Sequence, residues 1–107
     1  MSCINAEADV KTYQGDRTID GIIVTVDDAP LDEHLEIKPL CEDGFEWGFE
    51  GPASAQLALA ILADHLDDNA RALALHEAFM REVVANFANE WVMTSTDVQE
   101  AVDALSA

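Results

Sequence analysis

Few side chains in this sequence have a type and spacing suited to chemistry. His34, His65 and His76 stand in no H-x-x-x-H or H-E-x-x-H arrangement and have no cysteine nearby, so a zinc site of the usual kind is not expected. Cys3 and Cys41 are far apart and form no C-x-x-C pair; they read as buried small hydrophobes or free thiols rather than a disulfide. Ser54 has no G-x-S-x-G context. Asp64-His65 followed by Asp67-Asp68 offers enough carboxylate to hold a hard cation weakly. The same residues suit the end of one helix and the cap of the next, and that reading is preferred. The link Gly48–Ser54 enters a helix N-terminus, where free N–H groups suit an anion. Glu50 beside it, the donor missing at Pro52 and the lack of a following lysine favour a tight strand-to-helix turn instead. Arginine is scarce, which draws attention to Arg17. It either pairs bidentately with a carboxylate to fix the first loop or meets a ligand acid, the structural role being favoured. These patterns assign no catalytic, cofactor or metal residue, and an enzyme is not expected.

The charge bounds the remaining functions. The 107 residues carry 22 Asp and Glu against 5 Lys and Arg, a formal net charge of −17. Spread evenly over the surface of a chain this size, the carboxylates lie about 16 Å apart and repel by roughly 15 kcal/mol unscreened. Salt reduces this to about 2 kcal/mol at physiological strength and to almost nothing near 1 M. Against a typical stability of about 5–15 kcal/mol, such a chain is strained in low salt and comfortable in high salt. Few lysines (Lys11 and Lys38), many acids and abundant alanine fit a salt-rich cytoplasm. No two basic residues are closer than six positions, so no basic patch for nucleic-acid backbone is expected, nor attraction to an anionic membrane. Met1–Asp9 is polar and acidic, unlike a signal peptide, and the longest apolar run, Leu57–Ala63, is too short to span a bilayer.

The elements that must position these residues fall into an extended half and a helical half. At 50% hydrophobic, the chain supports a real core and reads as one domain over residues 1–107, with 1–9 as a flexible start. Val10–Tyr13 is a short strand candidate, Gln14–Gly21 a polar loop, and the β-branched run Ile22–Val26 the clearest strand. Asp27–Pro30 is a turn and Leu31–Leu40 a weaker strand that Pro39 ends. Phe45-x-Trp47-x-Phe49 alternates, predicting a strand with three aromatics on one core-facing side. Pro52 opens a helix to Leu66 that is apolar nearly all round, hence central and buried. A second helix is predicted over Asn69–Ala88, with Ala72, Leu75, Phe79, Val83 and Phe87 as its stripe. Trp91 follows in a connector and is expected, rather than Trp47, to be the exposed aromatic. Ser95 or Thr96 caps a third helix to about Leu105, with Val98, Ala101, Val102 and Leu105 inward. The expected class is α+β: a small antiparallel sheet of three or four short strands packed on three helices.

The stretch from Phe45 to Gly51, followed by Gln56-Leu57-Ala58-Leu59-Ala60-Ile61-Leu62, resembles the signature of a family of small domains of unknown function from bacteria, halophilic archaea and their viruses. The resemblance begins with Y-x-G-x-R at Tyr13, Gly15 and Arg17, and continues with F-x-W-G at Phe45, Trp47 and Gly48 and a small-residue link through Gly51. It goes on with Q-L-A-L-A-x-L from Gln56, then Phe79, Trp91 and the cap at Ser95–Thr96, so that about Tyr13–Leu105 is covered. Where the family link reads S-G-P, this chain has Pro52-Ala53-Ser54. The resemblance implies the fold and marks Tyr13, Gly15, Arg17, Trp47, Gly48, Gly51, Gln56 and Trp91 as structural or interaction positions. It implies no activity.

The expected function is therefore a small, acidic, salt-adapted accessory module of the cytoplasm, carried by a mobile element or virus, that acts through a protein partner or self-association. The alternative is a DNA mimic occupying a nucleic-acid-binding protein, since 17 net charges match roughly 29 Å of duplex. A mimic needs its charges in a stripe, whereas residues 1–51 hold 13 of the acids and residues 52–107 hold 9.

Overall fold

The computed structural model describes residues 10–42 and 44–106. The expected flexible start at residues 1–9, and Cys3 within it, lie outside the described residues. The order of elements is β1 (Thr12–Thr18), β2 (Gly21–Val26), β3 (Ala29–Pro30), α1 (Pro52–Leu66), α2 (Asn69–Glu82), a 3-10 turn (Val84–Asn86), β4 (Trp91–Thr94) and α3 (Ser95–Ser106). The strands form an antiparallel sheet in the order β3-β2-β1-β4. The architecture is the expected α+β arrangement of a small sheet and three helices. The sheet's fourth strand comes from between the second and third helices.

β1 and β2 join through the two-residue loop Ile19-Asp20, closing at Thr18↔Gly21. Gly21 takes φ +122°, and the Thr18 hydroxyl donates to its carbonyl at 2.7 Å. β2 and β3 join through Asp27-Asp28, whose φ values of 51° and 71° are those of a tight primed hairpin turn, the hand that matches strand twist. Asp is among the residues that tolerate this conformation, and the Asp27 carboxylate also ties the turn to β1, Oδ1 accepting the Thr12 N–H at 2.9 Å. β1 therefore extends to Thr18, and the stretch expected as a polar loop at Gln14–Gly21 is mostly strand. Its polar residues Gln14 and Asp16 alternate outward, while Tyr13 and Gly15 are buried.

The expected strands at Leu31–Leu40 and Phe45–Phe49 do not form. Gly48 at φ +87° breaks the alternation, so Trp47 is fully buried, Phe45 half-buried and Phe49 52% exposed. The segment is held by side chains instead of a ladder.

α1 is the centre of the core, with every residue from Ser54 to Ala63 buried. Pro52 opens it, and Asp67 in the left-handed region (φ 52°) ends it. α2 is capped by Asp68, which accepts the Arg71 N–H at 3.1 Å. It stops at Glu82, short of the expected Ala88. The buried positions of α2 are Ala72, His76, Phe79 and Met80, while Leu75, Val83 and Phe87 are half-buried. The carbonyl of Val84 is taken by the N–H groups of Gly48 and Phe87, at 3.0 and 3.2 Å, which turns the chain toward β4. Thr94 rather than Ser95 or Thr96 caps α3. Its hydroxyl accepts the Asp97 N–H at 3.2 Å, and the Asp97 carboxylate accepts the Thr94 N–H at 3.0 Å, a reciprocal capping box. Val98 and Val102 are buried on α3, with Ala101 and Leu105 packed beside them.

Candidate functional site

β1 carries Tyr13, Gly15 and Arg17 on one face, as a two-residue period requires. Each makes a different long-range tie. The Tyr13 hydroxyl donates to Asp64 Oδ2 at 2.7 Å, and Lys11 Nζ reaches the same oxygen at 3.2 Å, joining β1 to the last turn of α1. Burial first, then this hydrogen bond and the Asp64 charge, push the Tyr13 phenol well above its ordinary range. The raised pKa keeps the phenol protonated, as a donor to Asp64. Gly15 faces Trp91 across the β1–β4 pair, and a Cβ there would overlap the indole ring. Only glycine lets the ring lie flat on the strand.

Trp91 is 6% exposed and begins β4, which corrects its expected place as an exposed connector aromatic. It stacks on Phe87 (centroids 4.3 Å apart, planes at 15°) and meets Trp47 edge to face (5.8 Å, 81°). The indole nitrogens of Trp47 and Trp91 have no hydrogen-bond partner among the described residues. Arg17 locks this aromatic group. Its Nη2 donates to the Trp47 carbonyl at 2.7 Å and to Glu46 Oε1 at 2.8 Å, its Nη1 donates to Asn89 Oδ1 at 2.6 Å, and the guanidinium lies 4.7 Å from the Trp47 ring centroid. Arg17 is thus a structural clamp. Its carboxylate contact is single rather than bidentate, and it fixes the segments around Trp47 and Asn89 rather than the first loop.

Gln56 is the other clamp. Fully buried on α1, its Oε1 accepts the N–H groups of Leu40 and Cys41, at 2.7 and 3.0 Å, and its Nε2 donates to the Glu33 carbonyl at 2.7 Å. One amide thereby satisfies three backbone groups of a segment with no sheet of its own. Gly48 donates to Val84, and Gly51 is the N-cap of α1, without a side-chain cap. The eight marked residues come together as two groups. Tyr13, Gly15, Arg17, Trp47, Gly48 and Trp91 tie the sheet to the helix connections, and Gly51 and Gln56 set the start of α1. The side-chain polar atoms of Tyr13, Arg17 and Gln56 are spent on the fold.

The acids near Asp64 are dispersed over separate tasks: Asp64 holds Tyr13 and Lys11, Asp68 caps α2, and His65 Nε2 lies 2.8 Å from Gln99 Oε1. A different trio, Asp32, His34 and Glu36, has ligand-type atoms within 4.8 Å of one another. Its D-x-H-x-E spacing was available in the sequence. Hydrogen bonds inside the turn account for it: Asp32 Oδ1 accepts the His34 N–H at 3.1 Å, and His34 Nδ1 lies 3.1 Å from Glu36 Oε2.

Open surfaces flank the sheet on both sides of β2. The outer face of the sheet presents Ile23, 52% exposed, and Val92, 65% exposed, among Gln14, Asp16 and Thr25. Beside β2 runs a groove of about 870 Å³, walled by Leu31, Phe45 and Cys41 with Asp32, Glu33 and Glu46. Sequence reasoning missed it, because its walls come from four separate segments that only the fold brings together. No helix among the described residues is long and apolar enough to cross a membrane.

No curated protein and no solved structure matches the chain. Residues 13–104, which span the two clamps and the Gly15–Trp91 contact, match the family of unknown function DUF6166, to which the chain belongs.

Proposed function

We propose that the protein is a non-enzymatic accessory module, adapted to a salt-rich cytoplasm, that acts through contacts with another protein. The observation that carries this reading is the division of labour between inside and outside. The signature residues are consumed in packing, while apolar side chains stand exposed on the sheet face at Ile23 and Val92 and on the loop at Phe49. High salt weakens ionic contacts and strengthens apolar ones, so such exposed groups are the effective adhesive there. Among the described residues the acids are spread from Asp16 to Asp103 over loops, turns, a strand and helices, which favours a solvation coat over a duplex-mimicking stripe. Affinity capture from a native extract kept at high salt, with particle size measured in molar salt, tests the reading. A stoichiometric protein partner or a defined oligomer is expected. A strict monomer that retains no protein overturns it.

A further inference from the structure

The groove beside β2 runs along an unfinished sheet edge. β3 pairs with β2 only at Thr25↔Pro30 and Val26↔Ala29, and the Leu31 N–H adds one bond to the Val24 carbonyl at 3.1 Å. In an antiparallel strand alternate residues turn both N–H and C=O toward the same edge. The bond at Val24 therefore places the backbone groups of Ile22 on that edge as well. Among the described residues, no strand pairs with Gly21–Ile23 on this side. Open edges accept extended chains, with main-chain bonds giving affinity and flanking pockets giving selectivity. Here the flank is apolar at Leu31 and Phe45 and acidic at Asp32 and Glu33, and no basic residue lines it. The third acid, Glu46, is already held by Arg17 at 2.8 Å.

We propose that this groove binds an extended, basic segment of a partner protein, which continues β3 along the open edge of β2. The proposal rests on the protein-contact reading and names its site and partner chemistry. Ile22 supplies one N–H and one C=O to the incoming strand. Apolar side chains of that strand rest on Leu31 and Phe45, and its ammonium or guanidinium groups meet Asp32 and Glu33. Charge selects against the other occupants. A second copy brings another −17 charges and lays its own Asp32 and Glu33 against the first pair, and residues 1–9 of the chain contain Glu7 and Asp9 but no base.

The probe is a blocked hexapeptide of alternating valine and lysine, titrated into isotopically labelled full-length protein at the lowest salt that keeps it folded. Amide shifts centred on Ile22, Val24 and Leu31 are expected, with slowed hydrogen exchange at Ile22. The Asp32→Asn/Glu33→Gln variant should melt at the same temperature or higher and bind about tenfold more weakly, and methylation of alternate peptide nitrogens should cost a similar factor. Equal binding of a valine–glutamate peptide, indifference to methylation, or shifts confined to the Val92 face overturn the proposal. Concentration-dependent shifts of the same residues without peptide also overturn it, by assigning the edge to a second copy. Capture at the lowest salt that keeps the protein folded, with wild type and Asp32→Lys/Glu33→Lys, separates the two levels. A partner retained by both sinks the groove and spares the protein-contact reading, whereas a partner retained by neither sinks that reading too. A partner lost only on charge reversal, together with the Ile22 response, supports the proposal.

Discussion

A methyl group at Gly15 has nowhere to go. Its Cβ would overlap the indole of Trp91, which is itself pinned between Phe87 and Trp47. Gly15→Ala is expected to cost about 1–3 kcal/mol, the range for overpacking a rigid core, read as a lower denaturant midpoint. Tyr13 makes a prediction in pH. Its folded pKa is raised above the ordinary 10.0 by burial and by Asp64, so the folded state holds the phenolic proton more tightly than the unfolded chain. The stabilisation is complete below pH 10 and falls as pH rises above it, by about 1.4 kcal/mol per pH unit for this one group. An alkaline titration followed by circular dichroism should show wild type unfolding, with the Tyr13 contribution to the slope absent in Tyr13→Phe. A slope identical in both proteins would remove Tyr13 from the account.

The helices hold their termini by named caps. Asp68→Ala removes the acceptor for the Arg71 N–H and should cost about 1 kcal/mol in molar salt. In low salt the loss is smaller, because deleting one of 22 acids relieves repulsion. Thermal melts of the variant in both conditions read the difference. The three helices, the Pro52 start and the Asp68 cap were legible because each signal is local: an apolar period, a proline, a short acid before the first turn. β2 was legible for the same reason, in the β-branched run Ile22–Val26. β4 was not. Trp91–Thr94 is four residues long, and its strand character exists only through pairing with β1. The Phe45–Phe49 alternation misled because Gly48, with its positive φ, reverses the side that the following residue faces. The sequence singled out Gln56 and Arg17 but not their partners. Nothing near Gln56 announces that its amide serves Glu33, Leu40 and Cys41.

At the scale of the molecule, the net charge of −17 sets the conditions under which all these contacts operate. A melting series in potassium chloride should rise by more than about 10 °C between low and molar salt, since a kilocalorie moves the midpoint of a domain this size by several degrees. A midpoint indifferent to salt would refute salt adaptation. The pairing of β1 with β4 adds a constraint of time. The backbone of Lys11 meets Ser95 across 84 positions, a separation that translation covers in roughly 4 to 17 seconds. Through that interval the first hairpin leaves the ribosome with its Gly15 face bare and one border unmatched. Neighbouring nascent chains on one messenger expose the same border at the same moment. Asp16 and Asp20 on that hairpin, with Asp27 and Asp28 in the turn after it, would then repel like chains, so the acidity proposed to make the finished protein demand salt would also guard it while it is being made.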